Sequence, residues 1–178
     1  QRYEIWTMQS AYHTLLPTVD GVMEAPGPDF KAEDVQYTAG DDQVVYTLEV
    51  AGAYPDEAKM QSWKRALTLN RGESLVVEDT YAFDAAPETL TMSLLTPCEV
   101  EVGSDTITFK PTTFGPEETP RESGTGSLTF NDALSVTVEE VPITDDRLGG
   151  VWGDHLNRVV FTMESPAQEG TWTWEVKS

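Results

Sequence analysis

Two histidines, His13 and His155, are the side chains of this sequence best suited to acid–base chemistry or metal binding near neutral pH. They stand far apart in the chain. No glycine-rich phosphate loop, Cys/His metal spacing or nucleophile-elbow motif accompanies them in the sequence. The sequence by itself therefore predicts no assembled catalytic centre.

Carboxylates are the other abundant candidates for chemistry. Asp41-Asp42 and Asp145-Asp146 carry the oxygen ligands that Ca²⁺ prefers, but neither pair lies in the spaced pattern of a dedicated calcium loop. In a chain with 31 acidic residues, adjacent carboxylates arise by chance and are usually solvated. We interpret both pairs as turn residues.

Trp172 and Trp174 place two indoles on one face of a strand near the end of the chain. Such a pair is a candidate sugar contact, because an aromatic platform can stack against a sugar ring. The alternative is core packing, which Val176 favours because it continues the same face. We expect both indoles to be mostly buried.

Composition excludes several classes of protein. The 178 residues carry a formal net charge of −20, which argues against binding nucleic acid, anionic lipid or a sulfated polymer through the surface as a whole. Five Trp, six Tyr and six Phe argue against a disordered acidic chain. The single cysteine, Cys98, excludes a disulfide within the chain and leaves the cellular compartment open.

Period-two alternation of apolar residues dominates the sequence and predicts short strands. The alternating runs cover residues 44–50, 61–69, 75–83, 90–94, 100–102, 107–109, 128–130, 134–138, 159–161 and 172–176. Turn signals predict hairpins at 103–105 and at Asn131-Asp132. The pattern predicts an all-β fold, an antiparallel β-sandwich of roughly ten to thirteen strands forming a single domain over residues 1–178.

Departures from strand structure are few. Pro55 followed by acidic residues predicts at most one short helix, at 55–60. Proline and glycine predict a long exposed loop at 112–125, and a second loop, rich in Asp and Gly, at 144–154.

Arg65 and Asp79 are expected to form a structural ion pair. Alternation places Arg65 on the face of Trp63, and Asp79 on the face of Val77, with a turn centred near Gly72 between the two strands. A charge facing an apolar layer is costly without a partner, so the two side chains should pair.

Five motifs follow one another in the first sixty per cent or so of the chain: RYEIWTMQSAYHT (2–14), PTVDGVM (17–23), AYPDEA (53–58), WKRALTLNR (63–71) and VVEDTYAF (76–83). Together they resemble the segment that follows the catalytic toroid in heparinase II/III-like polysaccharide lyases, and the resemblance weakens after about Phe109. In that family a serine-rich strand leads to a His-Asn pair and an Asn/Asp-Gly hairpin, to which His13 and Asp20-Gly21 correspond here.

The resemblance implies that this chain is the C-terminal β-sandwich of a larger lyase. In that family a Tyr and a His on the toroid side of the cleft perform β-elimination at a uronic acid. The family also has a structural zinc-type site of two His and one Asp, in which His13 corresponds to the last ligand. The other ligands would precede Gln1. Here Thr14 follows His13, where the family has Asn.

The implied partners are therefore an N-terminal α/α toroid and a polysaccharide substrate, both in the parent protein, with no nucleic acid and no membrane. Zinc would belong to the parent, and the isolated chain would hold no cofactor and no catalytic residue. The parent would be secreted or periplasmic, with a cytoplasmic location left open. Two alternatives stay open: a carbohydrate-binding module that works by aromatic stacking, and a purely structural sandwich domain.

Overall fold

The computed structural model describes residues 2–131 and 134–178. Within these ranges it contains fourteen strands, three of them only two residues long, and one α-helix. The strands are β1 (Thr18–Val19), β2 (Glu33–Ala39), β3 (Gln43–Glu49), β4 (Met60–Asn70), β5 (Ser74–Phe83), β6 (Thr89–Thr96), β7 (Glu99–Val102), β8 (Thr106–Lys110), β9 (Thr113–Phe114), β10 (Arg121–Glu122), β11 (Gly126–Thr129), β12 (Ser135–Pro142), β13 (His155–Glu164) and β14 (Glu169–Lys177). The helix α1 spans Asp146–Trp152, and 3-10 turns lie at Arg2–Glu4, Trp6–Met8, Ser10–Tyr12, Ala51–Ala53 and Asp56–Ala58.

The strands form three antiparallel sheets. The largest has the order β2-β3-β4-β5-β14-β11-β8-β7, the second has the order β1-β6-β13-β12, and β9 pairs with β10. Aromatic side chains join the two larger sheets: the rings of Phe161 on β13 and Trp174 on β14 lie 4.8 Å apart between centroids. The prediction of an all-β antiparallel sandwich is confirmed.

The hairpin of β4 and β5 shows how local sequence sets the register. Asn70 pairs with Ser74, which leaves a three-residue loop in which Gly72 has φ of +77°. Glycine adopts this left-handed conformation without the steric cost that a Cβ would add. The resulting register places Trp63 opposite Tyr81, and both side chains are buried in the core.

The helix prediction is wrong in position. Residues 55–60 form only the 3-10 turn at Asp56–Ala58, and α1 lies inside the segment 144–154 that was predicted to be a loop. The Asp145 carboxylate caps α1 by accepting hydrogen bonds from the backbone N–H groups of Arg147 and Leu148, each 3.0 Å long. Two central glycines weaken the helical signal of this segment, so in the sequence Asp145-Asp146 resembles a turn and not a helix cap.

Two predictions about connections also need correction. The predicted loop at 112–125 contains the small β9–β10 ladder. The hairpin predicted at Asn131-Asp132 does not form, because β11 pairs with β8 and β14 whereas β12 pairs with β13 in the other sheet. Asp132 itself lies outside the described residues. Alternation identified these strands but carries no information about which strand pairs with which.

No helix in the described part of the chain is long and apolar enough to cross a membrane.

Candidate functional site

Arg65 and Asp79 lie directly opposite each other on β4 and β5 and form a bidentate ion pair. Arg65 Nε is 2.7 Å from Asp79 Oδ1, and Arg65 Nη2 is 2.7 Å from Asp79 Oδ2. The Asp79 side chain is fully buried, and that of Arg65 is 8% exposed. Two parallel charge-assisted hydrogen bonds are the arrangement that best compensates the burial of both charges.

The same guanidinium also holds the segment that follows His13. Arg65 Nη2 donates a hydrogen bond to the carbonyl oxygen of Leu15, a residue whose φ is +56°. The backbone N–H of Leu15 donates to the carbonyl of Ser93 on β6. Arg65 therefore joins the larger sheet to the chain segment that enters the smaller one.

Tyr54 reinforces this junction. Its hydroxyl donates a 2.6 Å hydrogen bond to the carbonyl oxygen of Pro17. Burial raises the pKa of Tyr54 far above its ordinary value, and the nearby Glu24 carboxylate adds to the effect. The phenol therefore stays protonated and acts as a hydrogen-bond donor, and it is unsuited to remove a proton from a substrate.

Glu24 lies close to His13 and was not identified from the sequence. Its carboxyl is half-buried, and burial raises its pKa, while the charges of His13 and Arg65 oppose that rise. The backbone N–H of Glu24 donates to the Ser10 hydroxyl, which holds this loop against the N-terminal segment. Glu24 lies in irregular structure, where no periodicity could have marked it.

The two histidines occupy separate surroundings. His13 is exposed, and its Nε2 lies 3.3 Å from the carbonyl oxygen of Thr7. His155 Nδ1 lies 2.7 Å from Asp154 Oδ1, and this hydrogen bond lowers the pKa of the Asp154 carboxyl. The contacts of the two histidines therefore do not bring them together.

The described residues provide only part of the ligand set that a structural zinc site requires. His13 and Glu24 supply one imidazole and one carboxylate, and no group of three or more His, Cys, Asp or Glu gathers anywhere in residues 2–131 and 134–178. Structural zinc requires four ligands. These residues alone therefore do not make a zinc centre.

Trp172 and Trp174 lie in the core. Their exposures are 3% and 0%, and their ring centroids are 6.0 Å apart with planes inclined at 71°. Trp172 also packs edge-on against Trp63. Neither indole presents an open face to a sugar in this structure, because stacking on a sugar needs an accessible ring.

Arg158 on β13 is a second anchoring residue that the sequence did not reveal. Its Nη2 donates a 2.7 Å hydrogen bond to the carbonyl oxygen of Ala11, and its Nε donates to the Ser93 hydroxyl. The guanidinium carbon lies 4.4 Å from the centroid of the Tyr12 ring, within cation–π range. Arg158 therefore holds the N-terminal 3-10 turns on the outer face of the smaller sheet.

Comparison with known proteins supports the fold resemblance. No family model matches the sequence, and no curated protein matches it. Among solved structures, heparan sulfate lyase HepC from Pedobacter heparinus is 13% identical, with a TM-score of 0.70 over 99% of this chain and 25% of that chain. A heparinase III with methylated lysines is 11% identical, with a TM-score of 0.67 over 97% of this chain and 24% of that chain.

A further heparinase III structure is 11% identical, with a TM-score of 0.58 over 90% of this chain and 22% of that chain. The resemblance predicted from the sequence motifs is thus confirmed in the fold. This chain spans about a quarter of the length of these lyases, which contain further chain beyond the matched part.

Proposed function

We propose that this chain is the C-terminal β-sandwich of a heparinase-type polysaccharide lyase, where it supports the catalytic cleft without taking part in the chemistry. The observation that carries the proposal is the fold likeness over almost the whole of this chain and only a quarter of the lyases. A part of that size leaves about three quarters of such a lyase to supply the catalytic groups. The proposed partner is an N-terminal α/α toroid in the same parent protein.

The polar groups of the chain support a non-catalytic role. β-Elimination at a uronic acid needs a base for the proton α to the carboxylate, an acid for the leaving oxygen and a group that stabilises the enolate-like charge. Burial keeps Tyr54 protonated, and the two donors of Arg65 that face Asp79 are both used by that carboxylate. His13 and His155 share no contact. The groups for the reaction would therefore come from the rest of the parent.

His13 is proposed to supply one ligand to a structural zinc site in the intact parent. Its imidazole is exposed and, among the described residues, its ring makes one hydrogen-bond contact, the long one to Thr7, so it is accessible to a neighbouring part of the parent. The remaining ligands would come from residues outside this chain. Neutral imidazole and carboxylate are ordinary zinc ligands, and Glu24 is the nearby carboxylate of this chain.

The lyase proposal is tested by comparing the parent protein with residues 1–178 alone. Each is incubated with heparan sulfate, and the ultraviolet absorbance of unsaturated uronate products is followed. The parent should produce a steady rise and the isolated chain none. An inactive, folded parent, or an isolated chain whose activity disappears in His13→Ala, would overturn the proposal.

The zinc proposal has its own readout. Metal content of the purified parent is measured by mass spectrometry for His13→Ala and for the matched control His155→Ala. The first variant should lose about one equivalent of zinc, and the second should retain it. Retention of zinc by His13→Ala would show that His13 is not a ligand, whatever the activity of the parent.

A further inference from the structure

A pocket of about 260 Å³ lies where the N-terminal 3-10 turns meet the helix α1. Trp6, Tyr12 and His13 line it from the N-terminal side, Trp152 lines it from α1, and Thr96 at the end of β6 contributes to its wall. The volume lies just below the roughly 300–1,000 Å³ of pockets that hold drug-sized ligands. It suits a single ring.

The aromatic residues of this pocket differ from those of the core in their exposure. Trp6, Tyr12 and Trp152 are each half-buried, whereas Trp172 and Trp174 are buried. The strand pattern of the sequence points to Trp172 and Trp174 as candidate sugar contacts, whereas the aromatic residues accessible to a ligand in the structure include Trp6, Tyr12 and Trp152.

The three rings are also held in place by neighbours. The Trp6 and Tyr12 rings lie 5.4 Å apart at an angle of 54°, and Arg158 lies against the Tyr12 ring. Trp152 stacks on Phe114 with centroids 5.5 Å apart and planes inclined at only 16°. A ring that is already ordered loses little conformational entropy when a ligand binds.

Each of the three aromatic residues carries an unused hydrogen-bond donor. The structure gives no partner among the described residues to the indole N–H of Trp6 or Trp152, or to the hydroxyl of Tyr12. Within the described part of the chain, the His13 ring makes one hydrogen-bond contact, the long one from Nε2. The pocket lining is mainly apolar, with Leu95, Pro97, Ile143, Leu148 and Leu156 beside the rings, and the residues that carry these donors stand among them.

We propose that this pocket binds one uncharged pyranose ring of a carbohydrate chain. A pyranose has an apolar C–H face, which can lie against an indole or phenol, and hydroxyls at its edge, which can accept from the free donors. A purely apolar ligand would use the ring surfaces alone and leave the donor-bearing side chains without a role, and a small polar ion would leave the rings uncovered. The net charge of −20 disfavours a uronate. The proposal stands independently of lyase activity.

Ligand-observed NMR on the 178-residue chain tests the proposal. Methyl β-glucopyranoside, the methyl glycoside of N-acetylglucosamine and methyl β-glucuronide are titrated, and saturation transfer to the ring protons is measured. Saturable binding of at least one neutral glycoside is expected, with the glucuronide binding no more tightly. Tryptophan fluorescence should follow the same titration curve.

Variants connect the signal to the pocket. Trp152→Ala should weaken binding about tenfold or more, which corresponds to roughly 1.4 kcal/mol. Tyr12→Phe keeps the ring under Arg158 and should weaken binding a few-fold through the lost hydroxyl alone. The matched control is Tyr37→Phe, because Tyr37 is 66% exposed on β2, and β2 contributes no residue to this pocket. Tyr37→Phe should bind as the unmodified chain does.

Three results would overturn the proposal: no saturable transfer with the folded chain, unchanged binding in both Trp152→Ala and Tyr12→Phe, or binding of the glucuronide alone. Saturable binding of indole without any glycoside would also overturn it. That result would identify a site for flat apolar ligands.

Discussion

Replacing Asp79 by alanine isolates the energetic role of the buried ion pair. The substitution removes both 2.7 Å hydrogen bonds from Arg65 and leaves its guanidinium in a site where the side chain is only 8% exposed. One partner remains for that charge, the carbonyl oxygen of Leu15. A single neutral acceptor does not compensate the desolvation of a full charge.

The expected magnitude follows from this burial. Removing one partner of a buried ion pair costs about 3–5 kcal/mol, and the upper part of that range applies because Asp79 is fully buried. For a chain of this length each 1 kcal/mol lowers the melting temperature by about 2–4 °C. Asp79→Ala should therefore melt about 8–20 °C lower.

Urea unfolding provides the measurement. The midpoint and the slope of the transition are followed by tryptophan fluorescence and by circular dichroism, and coincidence of the two curves supports a two-state treatment. The matched control is Glu101→Ala, which breaks the exposed 2.8 Å pair with Lys110 and should leave the midpoint unchanged within error.

A double variant distinguishes the cost of an unpaired charge from the loss of a favourable pair. Arg65→Met with Asp79→Leu removes both charges and should recover most of the loss in Asp79→Ala, because no charge is left buried. Recovery should be incomplete, since the Leu15 carbonyl also loses its donor. If Asp79→Ala is no less stable than Glu101→Ala, the reasoning from burial is refuted.

Three further predictions concern titration and anchoring. Burial raises the pKa of Glu49, but hydrogen bonds from the Ser62 hydroxyl and from two backbone N–H groups outweigh burial and lower the pKa overall. The Glu49 carboxylate therefore stabilises the fold at pH values above its unfolded-state pKa. This stabilisation is lost as the pH falls through the lower folded-state pKa. Glu49→Gln should therefore lower the melting temperature at neutral pH and much less at strongly acidic pH; an equal effect at both would contradict this. Burial raises the pKa of Glu24, so folding stability is lost as the pH rises through the raised folded-state pKa of this carboxyl. Glu24→Gln removes the buried charge, and it should therefore raise the melting temperature at neutral pH but not in acid. Arg158→Lys should speed amide hydrogen exchange in residues 6–13 and leave β4 and β5 protected, because it weakens the hydrogen bond to the Ala11 carbonyl and the contact with the Tyr12 ring. Unchanged exchange in residues 6–13 would show that other contacts hold this segment.

The strand pattern allowed the ion pair to be predicted because two local rules were sufficient. Period two fixes which face a side chain occupies, and the three-residue turn around Gly72 fixes which residues of β4 and β5 stand opposite each other. Arg65 and Asp79 therefore meet for reasons that lie within fifteen consecutive residues.

The pairing of β11 could not be predicted in the same way. Its partners are β8 and β14, and β14 is about fifty residues further along the chain. The turn residues after β11 suggested a hairpin with β12, but β12 joins the other sheet. The choice between a hairpin and a crossover depends on how the two sheets share the core, and no local pattern records that choice.

The aromatic residues show most clearly where sequence reasoning succeeds and where it ends. Trp172 and Trp174 fall on the period-two pattern of β14, and a residue in such a run faces either the core or solvent along with its neighbours. Trp6 lies in a 3-10 turn and Trp152 in the last turn of α1, where period two does not apply. Their meeting at one pocket depends on Arg158, which holds the N-terminal turns against the smaller sheet, and on the Asp145 cap, which starts α1. An indole inside a regular strand pattern is thus placed by the core that the strand faces, whereas the position of an indole outside such a pattern depends on long-range anchors that no local pattern records.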